Sequence, residues 1–120
     1  MTPFGRRLRE LRRAKGKRLK DMAACLGVSA AYLSALEHGH RGRPGGGFVQ
    51  QVSAYFNLAW DDVDELKRLA EISHPRVVVD TAGLDPLATE LANRLSETIG
   101  KLDAATLKKL LVIMDVAKSN

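Results

Sequence analysis

The 120-residue chain has room for one compact core and an appendage but is short for two independent cores. No apolar run is long enough to span a bilayer, Met1-Thr2-Pro3-Phe4-Gly5-Arg6 lacks the apolar segment of a secretory signal, and a lone Cys25 excludes an intramolecular disulfide or multi-thiolate metal site, so a cytoplasmic protein is expected. The net charge of +5 is unevenly held: residues 1–45 carry eleven basic side chains against three acidic ones and the remainder eight against eleven, a segregation that suits a protein presenting one end to a polyphosphate.

The spacing predicts a first helix from about Pro3 to Lys15, with Phe4, Leu8 and Leu11 on one side and arginines on the others, ended by Gly16. Leu19, Ala23, Gly27, Leu33 and Leu36 then fall at offsets 0, 4, 8, 14 and 17, the spacing of two short helices packed across a tight turn. The second helix is expected over about Leu19–Leu26 and the third over about Ser29–His38, stopped by Gly39. Ala23 is small where the axes must come close, Gly27 can take positive φ without steric cost, and the Ser29 hydroxyl can cap the third helix. Cys25 is expected as a small packing residue.

The segment His40-Arg41-Gly42-Arg43-Pro44-Gly45-Gly46-Gly47 is too rich in Gly and Pro for regular structure, and its glycines are expected to confer flexibility. A fourth helix, about Phe48–Phe56, offers Phe48, Val49, Val52, Tyr55 and Phe56 to the core. A fifth, about Trp60–Ser73, offers Val63, Leu66, Leu69 and Ala70 and is barred by Pro75. Val77-Val78-Val79 favour an extended linker or a strand.

Asp85-Pro86 suits the start of a sixth helix, in which Leu87, Leu91, Leu95 and Ile99 recur every four positions as far as Gly100. Asp103 begins a last helix striped with Leu107, Leu110, Leu111, Met114 and Ala117. The expected organisation is a basic helical domain over 1–74, an extended linker over 75–84 and a helical tail over 85–120. Each tail helix exposes more apolar surface than one partner helix can cover, which points to homodimerisation; packing on the same chain or docking of a different protein at the C-terminal helices are the alternatives.

Around the tight turn, Leu26-Gly27-Val28-Ser29 followed by Tyr32, Ser34, Glu37 and Gly39 resembles the "LA..LGVS..Y.S..E.G" phrase of the Cro/repressor, or XRE-type, helix-turn-helix family, with Met22 for the usual Leu and His38 for the usual Asn. The resemblance covers about residues 3–72. It implies an all-α fold, a five-helix lambda-repressor-like helix-turn-helix domain followed here by a C-terminal helical hairpin, with the third helix in the major groove of double-stranded DNA and a dimer on two half-sites. It also implies phosphate contacts by Arg13, Lys15, Lys17, Arg18 and Lys20.

Family members commonly carry Gln, Asn, Arg or Ser at the positions matching Ala30, Ala31 and Ala35, and a base-contacting Gln where Leu19 stands. Ser29, Tyr32, Ser34 and His38 are left on the exposed face, with the methyls of Ala30 and Ala31 able to touch thymine, so hydrogen-bonded base readout is expected to be thin. Arg41-Gly42-Arg43-Pro44 resembles the Arg-Gly-Arg-Pro core of AT-hook peptides, which implies Arg43, and less firmly Arg41, in an AT-rich minor groove; contact with phosphate alone is the alternative.

Nothing points to catalysis. His38, His40 and His74 lack metal-ligand spacing with carboxylates or the thiol, and Asp61, Asp62, Asp64 and Glu65 suit the positive end of a helix. No cofactor or metal is expected. The function expected is a sequence-preferring, double-stranded DNA-binding transcriptional regulator, a dimeric repressor on the nucleoid. An antitoxin that autoregulates its operon and a weakly specific architectural protein are the alternatives.

Overall fold

The computed structural model describes residues 1–41 and 44–119. Its elements are α1 (Pro3–Ala14), α2 (Leu19–Leu26), α3 (Ala30–His38), α4 (Gly46–Tyr55), α5 (Trp60–Glu71), α6 (Pro86–Thr98), a 3-10 turn at Ile99–Lys101, and α7 (Ala104–Ser119). They form two units, Met1–Val77 and the segment from Val78 onward.

In the first unit, α1 packs on α3 and α5, α2 on α3 and α4, and α4 on α5. The core holds most of what the apolar spacing predicts: Phe4, Leu8 and Leu11 from α1, Met22, Ala23 and Leu26 from α2, Leu33 and Leu36 from α3, then Val49, Val52, Phe56, Leu66 and Ala70, while Phe48, Tyr55 and Leu69 pack against it only partly buried and Val63 is not part of it. Fully burying each large aliphatic or aromatic side chain contributes about 1.5–3 kcal/mol, so these residues supply the main driving force for the unit. Two buried bonds close its ends. The Phe4 N–H donates to the Ser73 hydroxyl at 2.8 Å, and that hydroxyl donates in turn to the Leu69 carbonyl, tying the start of α1 to the end of α5.

Three local expectations are corrected. Gly46 and Gly47 are helical, the first turn of α4 with Gly45 as its N-cap, rather than part of a flexible loop. The first N–H groups of a helix lack intrahelical acceptors in any case, and burial of Val49 and Val52 decides where the helix lies against the weak local preference of glycine. Cys25 is exposed, because the inward face of α2 is already filled by Met22, Ala23 and Leu26 and position 25 lies off that stripe. Ser73 lies beyond α5, where its side chain caps α1 rather than extending a helix.

The second unit holds α6 and α7. Asp85 caps α6, its carboxylate accepting from the Leu87 N–H at 2.8 Å with Pro86 at the first helical position, and Asp103 caps α7 through the Thr106 N–H at 2.8 Å. Neither helix buries a residue. Leu87, Leu91, Ile99, Leu111, Val112, Ile113, Met114 and Val116 are all largely exposed. Val77, Val78 and Val79 are exposed and lie in no helix, and no strand occurs among the described residues.

Candidate nucleic-acid interface

α2 and α3 meet at 111°, within the range of a helix-turn-helix. The turn is built by Gly27, whose φ of 71° lies in the left-handed region, while the N–H of Val28 returns to the Ala23 carbonyl at 3.0 Å. Ser29 then caps α3, its hydroxyl oxygen accepting from the Tyr32 N–H at 3.0 Å. Gly27 and Ser29 thus occupy the roles that their residue types suggest.

Successive helical residues are about 100° apart, so Ala30, Ala31, Ser34 and His38 share one arc of α3. Ala30, Ala31 and His38 are exposed and Ser34 is half-buried, while the opposite side buries Leu33, Leu36 and Glu37. His38 turns back on its own helix: Nδ1 lies 2.8 Å from the Ser34 carbonyl oxygen, which can only accept, so Nδ1 carries the proton. That leaves Nε2 as the ring's other hydrogen-bonding atom.

Tyr32 is less free than expected. It is half-buried, edge-on to Phe48 of α4 with ring centroids 6.0 Å apart, and the Arg41 guanidinium lies 5.8 Å from the Tyr32 ring centre. The ring therefore joins the core-facing side of α4 to the loop that leaves α3, a cation–π arrangement that positions Arg41. Leu19 is partly buried against the core. Arg43 and Gly42 lie outside the described residues, and the AT-hook likeness rests on the sequence alone.

The basic residues divide by partner. Arg6 and Arg7 pair with Glu10 at 3.3 and 3.5 Å, and Arg7 also approaches Glu65 at 3.9 Å. Arg13, Lys15, Lys17, Arg18 and Lys20 are all exposed, and among the described residues none has an ion pair. These five residues run from the end of α1 through the start of α2, leaving five uncompensated cations around the α1–α2 connection. Uncompensated surface charge of this kind attracts a polyanion, in a manner that salt weakens.

Sequence reasoning missed what holds α3 in place. Arg12 of α1 makes a two-pronged ion pair with Glu37 of α3, Nε to Oε2 at 3.0 Å and Nη2 to Oε1 at 3.1 Å, and its Nη1 donates to the Lys17 carbonyl at 3.2 Å. Glu37 is 2% exposed. Beside the pair, Gly5 lets α1 approach so closely that a Cβ there would collide with the carbonyl oxygens of Leu36 and Glu37. The available signal was a glutamate immediately after Leu36 on the inward side of α3, with an arginine facing it from the preceding apolar helix.

No single helix is long and apolar enough to cross a membrane, and among the described residues no three His, Cys, Asp or Glu side chains gather to hold a metal.

Comparison with known proteins agrees with this geometry. The family described as Helix-turn-helix domain matches residues 3–71. The uncharacterized HTH-type transcriptional regulator RghRB of Bacillus subtilis is 35% identical over 63 residues, covering 52% of this chain and 45% of that protein. HTH-type transcriptional regulator DdrOP3 of Deinococcus deserti is 41% identical over 59 residues, 49% of this chain and 45% of that protein. The chain thus spans less than half the length of either relative. A solved SinR protein/SinI protein complex aligns over 98% of this chain and 99% of its own at 25% identity, but with a TM-score of 0.46 the likeness is too loose to carry weight. With the 111° turn, the capped α3 and a family match across the whole five-helix unit, the chain belongs to the XRE-type helix-turn-helix regulators.

Proposed function

We propose that the protein is a dimeric transcriptional repressor that lays α3 in the major groove of two DNA half-sites and grips the flanking phosphates with Arg13, Lys15, Lys17, Arg18 and Lys20. The observation that carries this reading is the coincidence of those five unpaired cations with a capped, outward-facing α3. Ser29, Ala30, Ala31, Ser34 and His38 face the bases, Tyr32 acts mainly by holding Arg41, and Arg41 and Arg43 lie on phosphate or in the minor groove. With alanines where bidentate side chains would sit, sequence preference rests largely on methyl contacts with thymine and on DNA shape. Its place of work is the cytoplasm, on the nucleoid, and no catalysis is assigned.

The tail is the dimerisation element in this reading. Leu110-Leu111-Val112-Ile113-Met114 puts apolar side chains on every side of α7, and a helix apolar all round must be enclosed. α6 carries Glu90 and Glu97 against Arg94, whereas α7 carries Lys108, Lys109 and Lys118 against Asp115, so a second copy offers complementary charge as well as apolar cover. Genome-wide footprinting of the tagged protein tests the proposal. It expects a few sharp peaks, each with two half-sites about 34 Å apart or a multiple of that; uniform low occupancy contradicts it.

A further inference from the structure

A cleft of about 390 Å³ lies where the chain leaves α3 and again where it leaves α5, lined by Gly39, His40, His74, Pro75 and Arg76. No carboxylate lines it, and among the described residues Arg76 has no ion pair. The backbone N–H groups of His74 and Arg76 donate to no acceptor among the described residues. The cleft is thus a concave surface lined by two histidines and an arginine, with no carboxylate among its lining residues.

Both walls are fixed in advance. Gly39, with φ of 78°, and His40 return their N–H groups to Leu36 and Ala35, and Gly39 sits so near the N-terminus that a Cβ would lie 2.9 Å from the Thr2 nitrogen. On the other wall, Ser73 is held by the Phe4 N–H and by the Leu69 carbonyl, immediately before His74. The ends of α3 and α5 bring partial negative charge, at most about half a unit each. The Ala35 and Leu36 carbonyls of α3 accept from the His40 and Gly39 N–H groups, and the Arg68 and Ala70 carbonyls of α5 from those of Ile72 and Ser73, which offsets part of that charge. His40 also stacks on His38 of α3, with centroids 6.4 Å apart and 12° between the planes, so the cleft is continuous with the outward face of α3.

We propose that this cleft seats a backbone phosphate of the bound duplex, so that DNA contact extends past the helix-turn-helix to His40, His74 and Arg76. The proposal rests on the DNA-binding reading above. It makes Arg76 a positioning contact that carries no sequence information.

The test is the salt dependence of binding of the full chain to a fluorescein-labelled duplex of mixed sequence. Arg76→Gln is compared with Arg68→Gln, which removes the same charge from the last turn of α5 outside the cleft, and with His40→Gln/His74→Gln; circular dichroism checks that each variant keeps its fold. The expected result is that Arg76→Gln lowers the slope of log K against log salt by about 0.9, the loss of one phosphate contact, while Arg68→Gln leaves it unchanged. The histidine pair should weaken binding in the same direction. Equal slopes for wild type and Arg76→Gln overturn the cleft proposal while leaving the DNA-binding reading intact, as does an equal fall in both arginine variants, which would reflect overall charge. Failure of the wild-type chain to bind any duplex overturns both.

Discussion

Arg12 and Glu37 lock α1 to α3 through two parallel hydrogen bonds of 3.0 and 3.1 Å, with the carboxylate side chain only 3% exposed and the guanidinium side chain 17%. The outward face of α3 is set at its far end by this pair and at its near end by the Ser29 cap. Breaking a buried pair by removing one partner leaves an uncompensated charge, which costs about 3–5 kcal/mol, whereas replacing both partners by apolar residues is often close to neutral. Arg12→Ala is therefore expected to destabilise the fold by about 3 kcal/mol in urea denaturation, and Arg12→Met/Glu37→Leu to recover most of that loss. Equal destabilisation by the single and double variants would contradict the assignment.

Two glycines should respond to alanine with opposite sign. At Gly5 the added Cβ strikes the carbonyls of Leu36 and Glu37, and overpacking of this kind costs about 1–3 kcal/mol despite alanine's better helix propensity. At Gly47, in the first turn of α4, a Cβ meets nothing within 4 Å, so Gly47→Ala should stabilise by about 0.4–1 kcal/mol. Thermal melts of the two variants decide it, and a stabilising Gly5→Ala would overturn the close approach of α1 to α3.

Much of the five-helix unit was legible because its apolar residues recur at helical spacing and its caps are residue types with a single mechanical role. The Arg12–Glu37 pair was not, since a charged side chain in a pattern scores as solvent-facing until a partner across the core is known. Gly46 and Gly47 misled for the converse reason: local propensity disfavours a helix there, and packing of Val49 and Val52 overrides it. Cys25 was misread from the general habits of cysteine rather than from its angle on α2. On α3, the family resemblance marked Ser29, Ala30, Ala31, Tyr32, Ser34 and His38 as the outward face, but only the packing against Phe48 revealed that Tyr32 serves the loop. In the tail, the stripes of α6 and α7 say that a surface must be covered and carry less about what covers it.

Ser29→Ala removes the side-chain acceptor of the Tyr32 N–H and should cost about 1 kcal/mol of stability. The cap orders the first turn of α3, where Ala30 and Ala31 face outward, so duplex affinity should fall as well. Ser29→Asp should restore the cap and the stability but not the affinity, because it adds a negative charge beside phosphate. Denaturation midpoints and binding isotherms, measured together, separate the two effects.

The Asp103 carboxyl is held below its ordinary 3.8 by the Thr106 side chain, then by the Thr106 N–H, with slight burial opposing. A lowered value means that the charged form is favoured in the folded state. The stabilisation is fully present above the ordinary carboxylate range and is lost as pH falls through the folded-state value. In an NMR titration, Asp103 should show a midpoint below 3.8, and the Thr106 amide should shift with it. A midpoint at or above that value would contradict the cap.

The most direct measurement is fluorescence anisotropy of the full chain on a labelled duplex at rising salt, for wild type and for Lys15→Glu/Lys17→Glu/Lys20→Glu. The account predicts tight binding in dilute buffer that weakens steeply as salt is added, and near-complete loss in the charge-reversed variant with its fold intact. Wild-type protein that leaves the anisotropy of every duplex unchanged in dilute buffer, or a reversed variant that binds as well as wild type, contradicts it.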